Sequence, residues 1–96
     1  TKDMIIAEIK KVFGSHANEA LKVASCESGI NNERVNINKN ATFDSNIFQI
    51  NSIHVKRFGI GFIKDWKENI VTAYKLWQEQ GFQPWYSSSI CWKEKV

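Results

Sequence analysis

The sequence predicts one α+β domain, mainly α, with a small polar β-hairpin. Three observations carry this. Apolar residues recur at helical spacing in three stretches bounded by start or stop residues, whereas Asn31 to Ser45 loses that period and turns polar. The chain has 96 residues, of which 43 % are hydrophobic and 12 % aromatic. That is enough for one core over 1–96 and no second domain, since domains usually take roughly 100 to 200 residues.

From Asp3 to Phe13, Met4, Ile5, Ile9, Val12 and Phe13 fall on one helical face, and Gly14 is placed to stop the helix. Ser15 is a candidate cap for a second helix, whose stripe Ala17, Ala20, Leu21 and Ala24 is narrow enough for close approach of a neighbour. Gly29 ends it, so Glu27 sits in its last turn. Glu27 follows Val23 by four residues and Ala24 by three, which puts the carboxylate on the apolar side. A helix C-terminus is also the wrong end for a negative charge, and both effects raise the pKa.

Val35 and Ile37 then alternate across Asn36, and Asn38-Lys39-Asn40 reads as the turn of the hairpin. Ile47 to Ile53 and Val55 to Phe58 are apolar clusters too short for independent helices, suited to short helical turns. Asp65-Trp66-Lys67-Glu68 is a capping box opening the clearest helix, which carries Trp66, Ile70, Ala73, Tyr74 and Trp77 and stops at Gly81. The tail, with Pro84, Trp85, Tyr86 and three Ser before Cys91, reads as a loop.

The formal charge is +3, from 13 Lys and Arg against 10 Asp and Glu. No basic block marks a nucleic-acid footprint, and the mild bias assists docking on an anionic surface. No apolar run approaches the roughly eighteen residues of a bilayer-spanning helix, so no membrane insertion is expected. The start of the chain lacks a signal pattern, and any export signal is expected outside it. His16 and His54 have no ligand-spaced companion, so no metal and no cofactor is expected. They read as surface or supporting residues.

Cys26 and Cys91 fit neither a CxxC pair nor a four-ligand zinc site. A bridge across the 65 positions between them would stabilise the fold by about 4 kcal/mol on the chain-entropy model. A disulfide and an oxidising compartment are therefore expected, the alternative being two buried free thiols. The bridge would also bring the tail beside Glu27.

Cys26-Glu27-Ser28-Gly29, the polar hairpin and then Asp44-Ser45-Asn46-Ile47-Phe48-Gln49-Ile50-Asn51-Ser52 resemble, in order, the signature of the lysozyme-like superfamily. In that family a helix-ending Glu is followed by a small β element and a Gln-Ile-Asn segment. The 17 positions from Glu27 to Asp44 and 22 to Gln49 resemble the spacing of c-type lysozymes, where the Asp is the second catalytic carboxylate. The Ser45, Ile47 and Gln49 pattern, Asn69-Ile70 on the long helix, and the terminal Pro84-Trp85 and Cys91 resemble the soluble lytic transglycosylase domain, a relative of the goose-type enzymes. These motifs span roughly Ala20 to Trp92. Asn46 stands where both branches usually have Gly, and Asn is the least costly substitute where positive φ is needed.

The resemblance implies a lysozyme-like fold with a cleft beside the hairpin. It also implies cleavage of the β-1,4 bond between N-acetylmuramic acid and N-acetylglucosamine in peptidoglycan glycan strands. That reaction needs a carboxyl still protonated near neutrality, to give its proton to the leaving oxygen as positive charge builds on the sugar. Glu27 is the candidate acid. With Asp44 across the cleft the outcome is hydrolysis. With Asp44 turned away, as a cap for the Ile47 segment, the family's other course is 1,6-anhydro product formation by a transglycosylase. Ser45, Gln49 and Asn51 are candidate substrate contacts, against simple turn hydrogen bonding. Trp85, Tyr86 and Trp92 either stack on pyranose rings or pack. The Asn-rich stretch Asn31 to Asn40 suits sugar hydroxyls and N-acetyl groups, as it would any polar loop.

The expected state is a monomer, and the brevity of the chain resembles a module of a larger wall-remodelling, secretion or phage-tail protein. The expected location is extracytoplasmic, as secreted, wall or periplasmic protein, or a phage virion. The rival classes are a non-catalytic module that binds peptidoglycan or chitooligosaccharide, and a structural or inhibitor-like helical domain.

Overall fold

The computed structural model describes residues 1–93. It is an α+β fold, mainly α. Helix α1 (Lys2–Phe13) begins at Thr1, whose hydroxyl accepts from the Met4 N–H, and ends at Gly14 with φ 56°. Gly14–His16 form a 3-10 turn that leads into α2 (Ala17–Ser28). Ser15 therefore lies inside this turn and caps nothing, and no side chain caps α2. The 3-10 geometry itself supplies partners for the first amides. Gly29, in the left-handed region at φ 70°, closes α2 with its N–H on the Ala24 and Ser25 carbonyls.

The sheet has one more strand than the expected hairpin. β1 (Val35–Ile37), β2 (Phe43–Ser45) and β3 (Ile50–Asn51) form an antiparallel meander in that order. Asn36 faces Asp44, and Asp44 faces Asn51, so these three polar side chains form one cross-strand row. Asn46 takes φ 71° in the turn between β2 and β3. Its side chain accepts from the Ile47 N–H and donates to the Ile63 carbonyl.

A 3-10 turn (Ser52–His54) runs into α3 (Val55–Phe58), and α4 (Gly61–Lys64) precedes the longest helix, α5 (Trp66–Gln80). Asp65 caps α5 by accepting from the Lys67 N–H. The tail is not a loop: Gln83–Ser88 form a 3-10 helix and α6 (Ser89–Lys93) follows. Pro84 fits the first turn of a helix, where a missing N–H costs nothing, and Cys91 anchors the segment.

The core joins Ile5, Ile9 and Phe13 of α1, Ala20, Val23 and Ala24 of α2, Ile47 and Phe48 of the sheet turn, and Ile70, Ala73 and Leu76 of α5. Phe13 and Phe48 meet at 5.6 Å between ring centroids. Of the aromatic stripe on α5, Trp66, Tyr74 and Trp77 are partly buried against this core.

Asn69 on α5 is wholly buried. Its Oδ1 accepts from the Phe48 N–H at 2.8 Å, and its Nδ2 donates to the carbonyls of Ser45 and Phe62 at 3.0 and 2.9 Å. One amide thus ties the sheet turn and α4 to the central helix. Asn69→Ala strands all three backbone groups, and each unpaired buried group costs about 1 to 3 kcal/mol. Urea unfolding is expected to show a loss of at least about 3 kcal/mol, and a loss under about 1 kcal/mol would contradict this role.

Candidate active site

Glu27, Asp44, Gln49, Ile50, Asn51, His54, Leu76, Pro84, Trp85 and Ser87 line a cleft of about 200 Å³. One wall is the end of α2 with the tail, the other is the sheet and the turn after it, and α5 contributes Leu76. The two sequence-predicted carboxylates thus share one cleft.

Glu27 is half-buried at the end of α2. Burial holds its pKa above the ordinary value of 4.5, because desolvation disfavours the charged form. The hydrogen bond from Ser88 opposes this, and the negative charge of Asp44 adds to it. The Ser88 hydroxyl lies 2.5 Å from Glu27 Oε2. Ser88 reaches this place because Cys26 and Cys91 are bridged, with Cα atoms 6.0 Å apart. The bridge thus sets the tail beside the residue that follows Cys26.

Asp44 sits in β2, so it caps no helix. Its Oδ1 accepts from Asn51 Nδ2 at 2.9 Å and its Oδ2 from Asn38 Nδ2 at 3.2 Å. Amides on both oxygens fix the carboxylate's orientation toward the cleft. Asn51 therefore lines the cleft as the support of Asp44, with Oδ1 accepting from the Ile53 N–H.

Ser45 does not line the cleft. Adjacent strand residues point to opposite faces, so with Asp44 on the cleft side Ser45 is directed inward. It is 1 % exposed, and its Oγ has no hydrogen-bond partner among the described residues. Gln49 borders the cleft, yet its amide is occupied: Oε1 accepts from Asn36, and Nε2 donates to the carbonyls of Arg34 and Asn46. It braces its own turn, where it takes φ 49°.

Trp85 forms part of the cleft wall but is buried at 3 % exposure, and its indole N–H donates to the Phe48 carbonyl at 2.8 Å. That is packing, with no open ring face for a sugar. Tyr86 is exposed and lies outside the cleft, beside Trp92 and beneath the Lys93 ammonium. Trp92 packs against Phe82.

Three polar residues of the site escape the sequence reading. Ser88 and Ser87 lie in the tail, within a run of three serines that nothing local distinguishes. His54 joins the cleft wall from the turn after β3, and burial holds its pKa below 6.5, with the Arg57 guanidinium pushing the same way and Glu79 opposing. Arg57 itself is paired with Glu79 of α5.

Among the described residues no helix is long and apolar enough to cross a membrane. No group of three or more His, Cys, Asp or Glu gathers there to hold a metal ion. No protein-family model matches this chain, and no curated protein matches it.

Proposed function

We propose that this chain is a lysozyme-like enzyme that cleaves the β-1,4 bond between N-acetylmuramic acid and N-acetylglucosamine in peptidoglycan. The observation that carries the reading is the pair of carboxylates in one cleft with unlike surroundings. Glu27 is half-buried and biased toward its protonated form, while Asp44 is presented on the sheet by two amides. Two carboxylates divided in this way by their environments suit acid and stabiliser roles at a glycosidic bond.

Glu27 then gives its proton to the leaving sugar oxygen, and Asp44 faces the positive charge that develops on the ring left behind. The placement of Asp44 in the cleft supports the hydrolytic course, in which water completes the reaction and Glu27 takes a proton back. The Cys26–Cys91 bridge suits an oxidising, extracytoplasmic setting. The mild positive charge suits an anionic wall.

The test is digestion of purified peptidoglycan followed by mass spectrometry of the released muropeptides. Reducing ends are expected. Products about 18 Da lighter, one water by stoichiometry, would place the chain with the transglycosylases and leave Asp44 a supporting role. Retention on insoluble peptidoglycan with no soluble product would replace the enzyme by a binding module.

A further inference from the structure

We propose that Ser88 is a positioning residue for Glu27, its hydroxyl holding Oε2 as a hydrogen-bond acceptor so that the transferable proton resides on Oε1. This rests on the reading of Glu27 as the general acid. The geometry of one hydroxyl carries it. Ser88 Oγ lies 2.5 Å from Glu27 Oε2 and 3.0 Å from the Trp85 carbonyl, and Trp92 Nε1 lies 3.2 Å from the same Oγ.

A hydroxyl has one proton and two lone pairs, whereas an indole nitrogen only donates. The Trp92 N–H, shared at 3.2 Å between the Trp85 carbonyl and Oγ, therefore meets a lone pair of Oγ and turns the hydroxyl proton away from itself. Two acceptors remain for that single proton, the Trp85 carbonyl and Glu27. A neutral carboxyl accepts weakly and an ionised one strongly, since bonds to charged acceptors are roughly twice as strong.

In the transfer step the O–H bond on Oε1 breaks and a new O–H bond forms on the leaving oxygen. The electron pair stays on Glu27 and spreads over both oxygens. The share of charge on Oε2 meets the Ser88 proton, so the contact tightens as the transition state is reached, which is the kind of interaction that raises kcat rather than binding. When Glu27 later takes a proton back on Oε1, the hydroxyl can relax toward the Trp85 carbonyl.

The experiment uses the full chain with Ser88→Ala and Ser88→Thr. Glu27 is titrated through its carboxyl carbon by nuclear magnetic resonance, and kcat and KM are measured on solubilised peptidoglycan strands. Ser88→Ala is expected to move the Glu27 midpoint upward, because the bond that favours the carboxylate is lost. It is expected to lower kcat roughly tenfold, the worth of one hydrogen bond to a charged group, with KM nearly unchanged. Ser88→Thr, which keeps the hydroxyl, is expected to restore both.

A wild type that cleaves peptidoglycan while the Ser88→Ala midpoint stays in place overturns the role of Ser88 alone. So does a threonine variant that fails to restore the midpoint. A wild type that releases no muropeptide overturns the acid role of Glu27 and the Ser88 proposal with it.

Discussion

Glu27→Gln is expected to lower peptidoglycan cleavage by about 10² to 10⁴, the usual contribution of a positioned general acid. Gln keeps the shape and hydrogen-bonding capacity of the side chain but has no proton to give, so retention on insoluble peptidoglycan is expected to persist. The same change should make the protein more stable near neutral pH. Burial raises the folded-state pKa of Glu27 above 4.5, so between 4.5 and that raised value the folded state binds more protons than the unfolded chain. The stability this contributes is complete below 4.5 and is lost as pH rises through the folded value, where a half-buried carboxylate must carry its charge beside Asp44. Gln removes that cost. Urea midpoints of wild type and Glu27→Gln should converge near pH 4, with the variant ahead at pH 7.5. A variant that loses stability at pH 7.5 would mean that Glu27 holds the fold together, and that its activity loss has a structural cause.

The elements legible in the sequence are those whose ends carry local signals. Asp65 and Gly81 bracket α5, and Gly29 closes α2 two residues after Glu27. β3 escaped because two residues leave no alternation to read; Ile50–Asn51 becomes a strand only through pairing with β2. The tail escaped because its helical turns depend on docking. Gln83–Ser88 are held by the Trp85 indole on the Phe48 carbonyl, by the Ser88 hydroxyl on Glu27 and, three residues further on, by the bridge at Cys91.

The site divides on the same physical line. The place of Glu27 on the apolar side of α2 was legible from helical spacing, since side chains three and four residues apart share a face, whereas its candidacy as the acid came from the family resemblance of the motifs around it. Ser45 was misplaced for want of the strand register, which sends it inward once Asp44 faces the cleft. Gln49 and Asn51 were found as cleft residues, but their amides are committed to Arg34, Asn36, Asn46 and Asp44. The expected Cys26–Cys91 bridge places the tail beside Glu27, but which of three consecutive serines meets the carboxylate, 61 positions away, depends on the helical turns of the tail, which no local signal announces.

Removing the bridge is expected to cost most of the fold's margin. Joining residues 65 positions apart lowers the entropy of the unfolded chain by an amount worth about 4 kcal/mol at 25 °C. Cys26→Ser with Cys91→Ser is therefore expected to lower the melting temperature by about 16 to 32 °C, taking about 4 to 8 °C per kcal/mol for a chain of this length. The loss reaches the site as well. α6 packs on α2, and the bridge is their covalent tie, one residue before Glu27 and three after Ser88. With the tie gone, the tail can part from α2 at less cost than global unfolding, and Ser88 leaves Glu27 when it does. Amide exchange in the tail should then run faster than exchange in α1 and α5, and kcat should fall at temperatures where the variant remains folded. Were the tail to stay as protected as α5 in the double variant, the packing of Trp85 on Phe48 would be sufficient by itself to dock it, and the bridge would act on the unfolded chain alone.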